Sequence, residues 1–248
     1  MSHVSHSIFG HHAVLSALNS PVIVIREIYY LQDPHSSKLQ KLLAEAKAKN
    51  IFMKPSDRGQ LDKLASGGNH QGIIAMAERT RSWEEGDLLG ILQEAQDSQT
   101  ARILVLDGVQ DPHNLGACLR SADAFGIKAV IIPKDKSCPI TPIVEKVACG
   151  AAQTVPVIPV TNLARAMKEL KDHDFWLVGF AGEADQTLDQ VDTSGNLALV
   201  MGGEGEGLRR LTKEHCDFLV KIPMIGTVES LNVSVATGIA LYTTRAIK

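Results

Sequence analysis

Hydrophobic and polar positions alternate in two distinct regimes along the chain. Over residues 8–78 the apolar segments are short and mixed in type. His11–Leu18 predicts a short helix, and Lys38–Lys49, rich in Leu, Ala and Lys, predicts a second one. Glu27–Leu31, Ile51–Met53 and Gly72–Ala77 carry strand character, with a turn over Asn69–Gly72 before the last of them. Residues Glu78–Thr100 are polar, charged and weakly periodic, which predicts a linker containing one short amphipathic piece, Leu88–Leu92. From Ala101 onward, near-continuous apolar runs alternate with helical stretches. The predicted strands are Ile103–Leu106, Ala129–Ile132, Val155–Val160, Trp176–Phe180, Leu197–Met201 and Phe218–Ile222. The predicted helices are Leu115–Phe125, Ile143–Cys149, Leu163–Leu170 and Leu231–Ala246. Strands that are apolar on both faces and separated by helices imply a parallel sheet covered on both sides. The expected organisation is a small α/β domain over 1–78, a linker over 79–100 and an α/β domain with a mostly parallel sheet over 101–248.

In an open parallel sheet, ligands sit outside the carboxyl ends of the strands, so the loops that follow strands carry the chemistry. Three of them stand out. The first runs from Asp107 to Arg120, with Asp111 suited to cap a helix and Pro112 to its first position. Leu115, Cys118, Leu119, Ala122 and Phe125 share one apolar helix face. Arg120 lies off that face, with Gly116 one turn before it leaving room above the guanidinium. An ordinary surface pairing of Arg120 with Asp123 is the competing account. The second loop, Gly202–Gly207, holds four glycines in six residues. It lacks the Lys-Ser/Thr of a P-loop and the GxGxxG spacing of a dinucleotide fold, which excludes a nucleotide-dependent dehydrogenase. Its Glu204 and Glu206 would repel a pyrophosphate and better tolerate a cationic ligand. The third loop runs from Pro223 to Ser234. Here Ser230 is a candidate cap for the last helix, whose apolar stripe would be Leu231, Val235, Ile239 and Tyr242, and Asn232 and Ser234 fall in the first turn.

Composition adds three points. The chain is 44% hydrophobic, enough for a real core, and has no apolar run near the roughly 20 residues of a membrane span. Its first residues, MSHVSHSIFG, lack the basic and apolar regions of a signal peptide, so a cytoplasmic location without membrane contact is expected. The four cysteines form no CxxC pair, and no metal site is expected. Net charge is −3, yet residues 1–83 hold 10 Lys+Arg against 6 Asp+Glu and the remainder 15 against 22. A mildly basic front segment on an acidic body fits a phosphate-attracting module, and surface-charge noise would look the same.

The segments NLGACLRSADAFG, ALVMGGEGEGL and IPMIGTVESLNVSVATGIAL resemble, in order, the three motifs of the SpoU branch of the SPOUT methyltransferases. The likeness extends to GHHAV, HQGIIA, EKVACGAAQ and RRLTKEHCD, and so to almost the whole chain. It implies a Rossmann-like sheet ending in a trefoil knot, an arrangement that topology rules alone make very rare. It implies S-adenosylmethionine as cofactor, held largely by backbone at Gly202, Ile222 and Leu231 with their neighbours Met201, Gly203, Met224 and Val233. Arg120 matches the family's catalytic arginine, with Asn114, Glu204, Ser230 and Asn232 orienting it and the ribose. The implied reaction is 2′-O-methylation of a guanosine in 23S ribosomal RNA, free or in a ribosome-assembly intermediate, by a homodimer whose front domain grips the RNA. Transfer RNA as the substrate, or a non-catalytic RNA-binding or assembly role, are the alternatives.

Overall fold

A computed structural model of the chain describes residues 6–20, 22–32, 36–79, 81–96, 98 and 100–245. The chain divides into two compact units, residues 1–82 and 83–248. No helix among the described residues is long and apolar enough to cross a membrane.

The first unit is β1 (His6–Phe9), α1 (His11–Asn19), β2 (Ile23–Leu31), α2 (Ser37–Ala48), β3 (Phe52–Ser56), α3 (Arg58–Leu64) and β4 (Ile73–Arg79). Its four strands lie in the order β1-β4-β2-β3, with β4 antiparallel to both neighbours and β2 parallel to β3. Two elements escape the hydrophobic pattern. β1 has only four residues, and α3 has seven. What marks α3 is its cap, Asp57, whose carboxylate accepts from Gln60 N at 2.9 Å. β2 starts four residues earlier than its pattern suggests because a register shift between Ile25 and Glu27 interrupts the alternation. Arg26, the residue at that irregularity, pairs instead with Glu78 at 2.8 Å.

The second unit holds α4 (Leu88–Gln96), β5 (Arg102–Asp107), α5 (Pro112–Ala124), β6 (Ala129–Pro133), α6 (Pro142–Ala148), α7 (Ala151–Thr154), β7 (Val157–Val160), α8 (Leu163–Asp172), β8 (Phe175–Phe180), β9 (Gln186–Thr187), β10 (Asn196–Gly202), α9 (Arg210–His215), β11 (Phe218–Lys221) and α10 (Val233–Thr243). Seven strands in the order β7-β6-β5-β10-β8-β11-β9 pair entirely in parallel. Alternate residues of the central strands serve opposite cores. Leu104, Leu106, Leu199 and Met201 pack with α5, α6 and α10, while Ile103, Val105, Ala198 and Val200 pack with α4 and α8. This two-sided burial is why those strands read as continuous apolar runs.

The expected linker is a correction. Its Leu88, Leu92 and Ala95 are fully or almost fully buried in the second unit, so α4 is part of the core and not a tether. A 3-10 turn over Glu85–Asp87 leads into α4, and Glu85 accepts from Arg165, Thr161 N and Thr161 Oγ1, at 2.5, 3.1 and 2.9 Å. The Arg165 hydrogen bond above all holds the Glu85 carboxyl down to about 2. A carboxyl lowered in the folded state stabilises above its unfolded value and loses that contribution as pH falls through the folded one. The wild type should therefore lose more thermal stability than Glu85→Gln between about pH 4.5 and 2. The gap should stay below about 1 kcal/mol because the pair is partly exposed, and thermal midpoints across that range test it.

The last helix also departs from expectation. It begins at Val233 and buries Val233, Thr237, Ala240 and Leu241, leaving Val235, Ile239 and Tyr242 of the expected stripe exposed. The helix is apolar on two adjacent faces, and spacing alone could not choose between them. The final predicted residue of that helix, Ala246, lies outside the described residues.

Candidate functional site

The chain leaves β5 outward to β6 and β7, then returns to build β8 and β10 on the other side, so strand order reverses between β5 and β10. Their carboxyl ends are in register, Gly202 beside Asp107. Such a reversal opens the crevice in which α/β sheets bind ligands.

Asp111 and Pro112 start α5 as their residue types suggest, with the Asp111 carboxylate accepting from His113 N at 2.9 Å. That N–H holds the Asp111 carboxyl below its usual range. The first turn carries Asn114 inward, where it is 8% exposed. Asn114 Nδ2 donates to Glu204 Oε1, and Asn114 Oδ1 accepts from Asn232 Nδ2 at 3.0 Å. Asn232 is itself the cap of α10, its Oδ1 accepting from Ser234 N at 2.9 Å and Ser234 Oγ at 2.6 Å. One buried amide thus ties together the loops after β5, β10 and β11. Burial of that amide is tolerable because both its ends are paired.

Ser230, expected to cap the last helix and to join this group, does neither. It is exposed two residues before the cap, and Asn232 has taken its place because the helix starts later. Arg120 is exposed on α5 and, among the described residues, has no ion pair. The competing pairing with Asp123 is absent, since that carboxylate accepts from Thr154 Oγ1 at 2.6 Å. Six residues along one helix separate Arg120 from Asn114, about 9 Å of axial rise.

The glycine loop turns back on itself through a bridge between Gly203 and Gly207. A β-carbon at Gly202 would lie 2.1 Å from Gly207 C, and one at Gly203 would lie 2.3 Å from Gly108 O. These two glycines serve backbone-to-backbone packing, whereas Glu204 and Glu206 are exposed at the loop's tip. Met201 and Val233 are buried core side chains, so only their backbones can face a ligand. Ile222 and Leu231 are half-buried, and Met224 is exposed. Between them, residues 222–231 form no backbone-to-backbone hydrogen bond among the described residues. Their N–H and C=O groups are therefore available to water or to a ligand.

Asp107 and Cys118 also shape the site, the first not singled out from sequence and the second expected only as part of the apolar helix face. Asp107, 1% exposed, accepts from Arg209 N at 3.1 Å and Arg209 Nε at 2.6 Å, while its carbonyl accepts from Gly203 N at 2.9 Å. An acid directly after the apolar run Ile103–Leu106 was the available signal. Cys118 lies under the site against Thr237, and burial pushes its thiol up to about 11, so it offers no thiolate nucleophile. Among the described residues no three His, Cys, Asp or Glu side chains are placed to hold a metal ion.

Gly116 has a different role from the one its position suggested. A β-carbon there would lie 2.7 Å from Val147 Cβ and 2.9 Å from Val144 O, so the glycine lets α5 and α6 pack closely and does not open space over Arg120. Gly116→Val should destabilise the protein by about 1–3 kcal/mol, read as a lower urea midpoint. An unchanged midpoint would show that α6 shifts freely.

Comparison with known proteins agrees with this geometry. Residues 101–242 match the SpoU rRNA Methylase family and residues 7–83 match the RNA 2′-O ribose methyltransferase substrate binding family. The chain is 51% identical over 239 residues to the 23S rRNA (guanosine-2′-O-)-methyltransferase RlmB of Yersinia pestis, covering 96% of each chain. It is 53% identical over 240 residues to the RlmB of Pasteurella multocida, covering 96% of this chain and 97% of that one. The fold is similar to the crystal structure of the SpoU methyltransferase AviRb from Streptomyces viridochromogenes in complex with AdoMet, with a TM-score of 0.64 and 20% identity over 97% of this chain and 89% of that one. The α/β architecture, the three loops and these matches together make the chain a member of the SpoU rRNA methylase family.

Proposed function

We propose that the protein transfers the methyl group of S-adenosylmethionine to the ribose 2′-hydroxyl of a guanosine in 23S ribosomal RNA. The observation that carries this reading is the Asn114 amide joining Glu204 and Asn232, which gathers three strand-end loops into one site. The residues fit the cofactor. Unpaired backbone over 222–231 suits recognition of an adenosine by N–H and C=O groups, and the acidic tip of the glycine loop suits a cation. The cofactor supplies an electrophilic methyl on a sulfonium.

The chain's own residues must deal with the other reactant. A ribose hydroxyl is a very weak acid, and its oxygen gains negative charge as the new bond forms. Arg120 supplies a fixed positive charge for that oxygen and for a neighbouring phosphate. Its guanidinium acts through electrostatics and hydrogen bonding, and the hydroxyl proton passes to solvent water as the new O–C bond forms and the donor's S–C bond breaks. Asn114 holds the Glu204 carboxylate and is itself held by Asn232, and Ser230 is free to contact the RNA.

The working protein is a homodimer. Exposed Val235, Ile239 and Tyr242 on α10, with Ile225 and Val228 before it, give an apolar surface of the kind subunits cover. α10 packs on α5, with Phe125 and Tyr242 edge-to-face at 6.2 Å, so Arg120 lies on a helix bordering that surface. We read the segment from β10 to α10 as the family's trefoil knot, residues 1–78 as the RNA-binding module, and the cytoplasm as the site of action.

Incubating the protein with 23S ribosomal RNA and labelled S-adenosylmethionine, then mapping the product, tests the reading. One 2′-O-methylguanosine is expected. Label in transfer RNA alone, or on a base, would overturn it.

A further inference from the structure

The first unit contains a cavity of about 310 Å³ at the carboxyl ends of β2 and β3. Its size lies at the lower end of ligand sites, which run from about 300 to 1,000 Å³. Its floor is apolar. Gly72 lies against Leu39 and Leu31, and a β-carbon there would be 3.3 Å from Leu39 Cδ2 and 3.6 Å from Leu31 Cβ. One wall is the turn from Asn69 to Gly72, held rigidly. Gln71 and Gly72 both have left-handed backbone, at φ 51° and 83°. His70 is buried behind them, its Nδ1 accepting from Gly72 N and its Nε2 paired with Asp62, both at 3.0 Å. Both ring nitrogens are therefore used within the protein.

The polar groups left for a ligand are specific. Gln71 Oε1 accepts from His11 N at 3.0 Å, which leaves the amide NH2 as a pair of donors. Asn69 is exposed, with a donor and an acceptor both unused by the described residues. Arg58, exposed and also lining the cavity, has no ion pair among the described residues. Among the described residues no Asp or Glu lines the cavity. An apolar floor of leucines, two amides and one guanidinium match a nucleobase with its phosphate. Amides pair with a base edge, and a guanidinium with a phosphate. A base still stacked in a duplex cannot enter such a recess, so the fitting ligand is an unstacked one.

We propose that this cavity receives a single unpaired nucleotide of the RNA substrate, its base between Asn69, Gln71 and the leucine floor and its phosphate at Arg58. The inference rests on the reading that the chain acts on RNA, and adds a place where unpaired RNA is distinguished from duplex. The test uses the full chain, an RNA hairpin with an unpaired loop, a fully paired duplex of equal length, and free guanosine monophosphate. In fluorescence anisotropy, Arg58→Gln and Asn69→Ala should each weaken hairpin binding about tenfold, with duplex binding unchanged. Arg58→Gln should also lower the log–log salt slope by about one. A 4-thiouridine placed in the loop should crosslink within residues 58–72. Hairpin affinity unaltered in both variants, crosslinks confined to other segments, or tight binding of guanosine monophosphate with none of the hairpin would each overturn the proposal. Methyl transfer that proceeds with unaltered hairpin affinity in both variants would sink this inference alone. Cavity-dependent hairpin binding without methyl transfer would sink the enzymatic reading and leave the cavity's role standing.

Discussion

Replacing Arg120 with alanine should lower methyl transfer by about 10²–10³-fold while leaving S-adenosylmethionine affinity, measured by calorimetry, unchanged. The magnitude is that of removing one preorganised donor from a site where negative charge develops. The separation of effects follows from the placement of the residue. Arg120 is exposed, has no ion pair among the described residues, and stands apart from the Asn114–Glu204–Asn232 linkage. Its loss therefore leaves the loops that would hold the cofactor intact. Asn114→Ala is the contrasting case. It leaves the Glu204 carboxylate without its amide partner and frees the cap residue of α10, so it should weaken cofactor binding and turnover together. Arg120→Lys keeps the charge but not the planar fork, and should recover only part of the rate. Near-wild-type turnover in Arg120→Ala would refute the electrostatic role.

The parallel sheet was legible because burial on both faces writes itself into sequence as unbroken apolar runs. Ile103–Leu106 and Leu197–Met201 were placed to within a residue or so of β5 and β10. The site was legible to the extent that residue type fixes local geometry. Asp111 and Pro112 start α5 where they should, and that start is what aims Asn114 at the loops after β10 and β11. What failed depended on partners distant in sequence. Leu88 and Leu92 looked like part of a linker because nothing local shows that a second unit buries them. Gly116 looked like room for a guanidinium, when its neighbours are Val144 and Val147 of the next helix. Ser230 looked like a cap because Ser and Asn are almost equally good caps, and the choice between them rested on the 3.0 Å bond from Asn232 to Asn114.

Arg102 gives the second large effect, and no sequence pattern singled it out. It stands at the first position of β5 and is only 6% exposed. Among the described residues no carboxylate meets it. Its Nε donates to Thr244 O at 2.7 Å, Nη1 to Gly195 O at 2.6 Å and Ala101 O at 3.1 Å, and Nη2 to Thr193 O at 2.7 Å. Burial lowers its pKa from the usual arginine range, so the charge is held at a cost that the four carbonyls offset. Arg102→Met keeps much of the volume but leaves those carbonyls unpaired, the bonds to Thr244 O and Ala101 O being buried and those to Gly195 O and Thr193 O partly buried. At about 1–3 kcal/mol for each unpaired buried group, partly recovered by relaxation, the loss should be about 3–5 kcal/mol. In a protein of this size that lowers the thermal midpoint by about 10 °C. The effect should reach the site as well. Thr244 caps the far end of α10, and the near end of the same helix carries Asn232. Loosening one end frees the element that holds Asn114 at the other, so cofactor affinity should fall in Arg102→Met well below its unfolding temperature. A variant with an unchanged midpoint would show that water satisfies the carbonyls. A lower midpoint with unchanged cofactor affinity would show that α10 keeps its position at the site without this anchor.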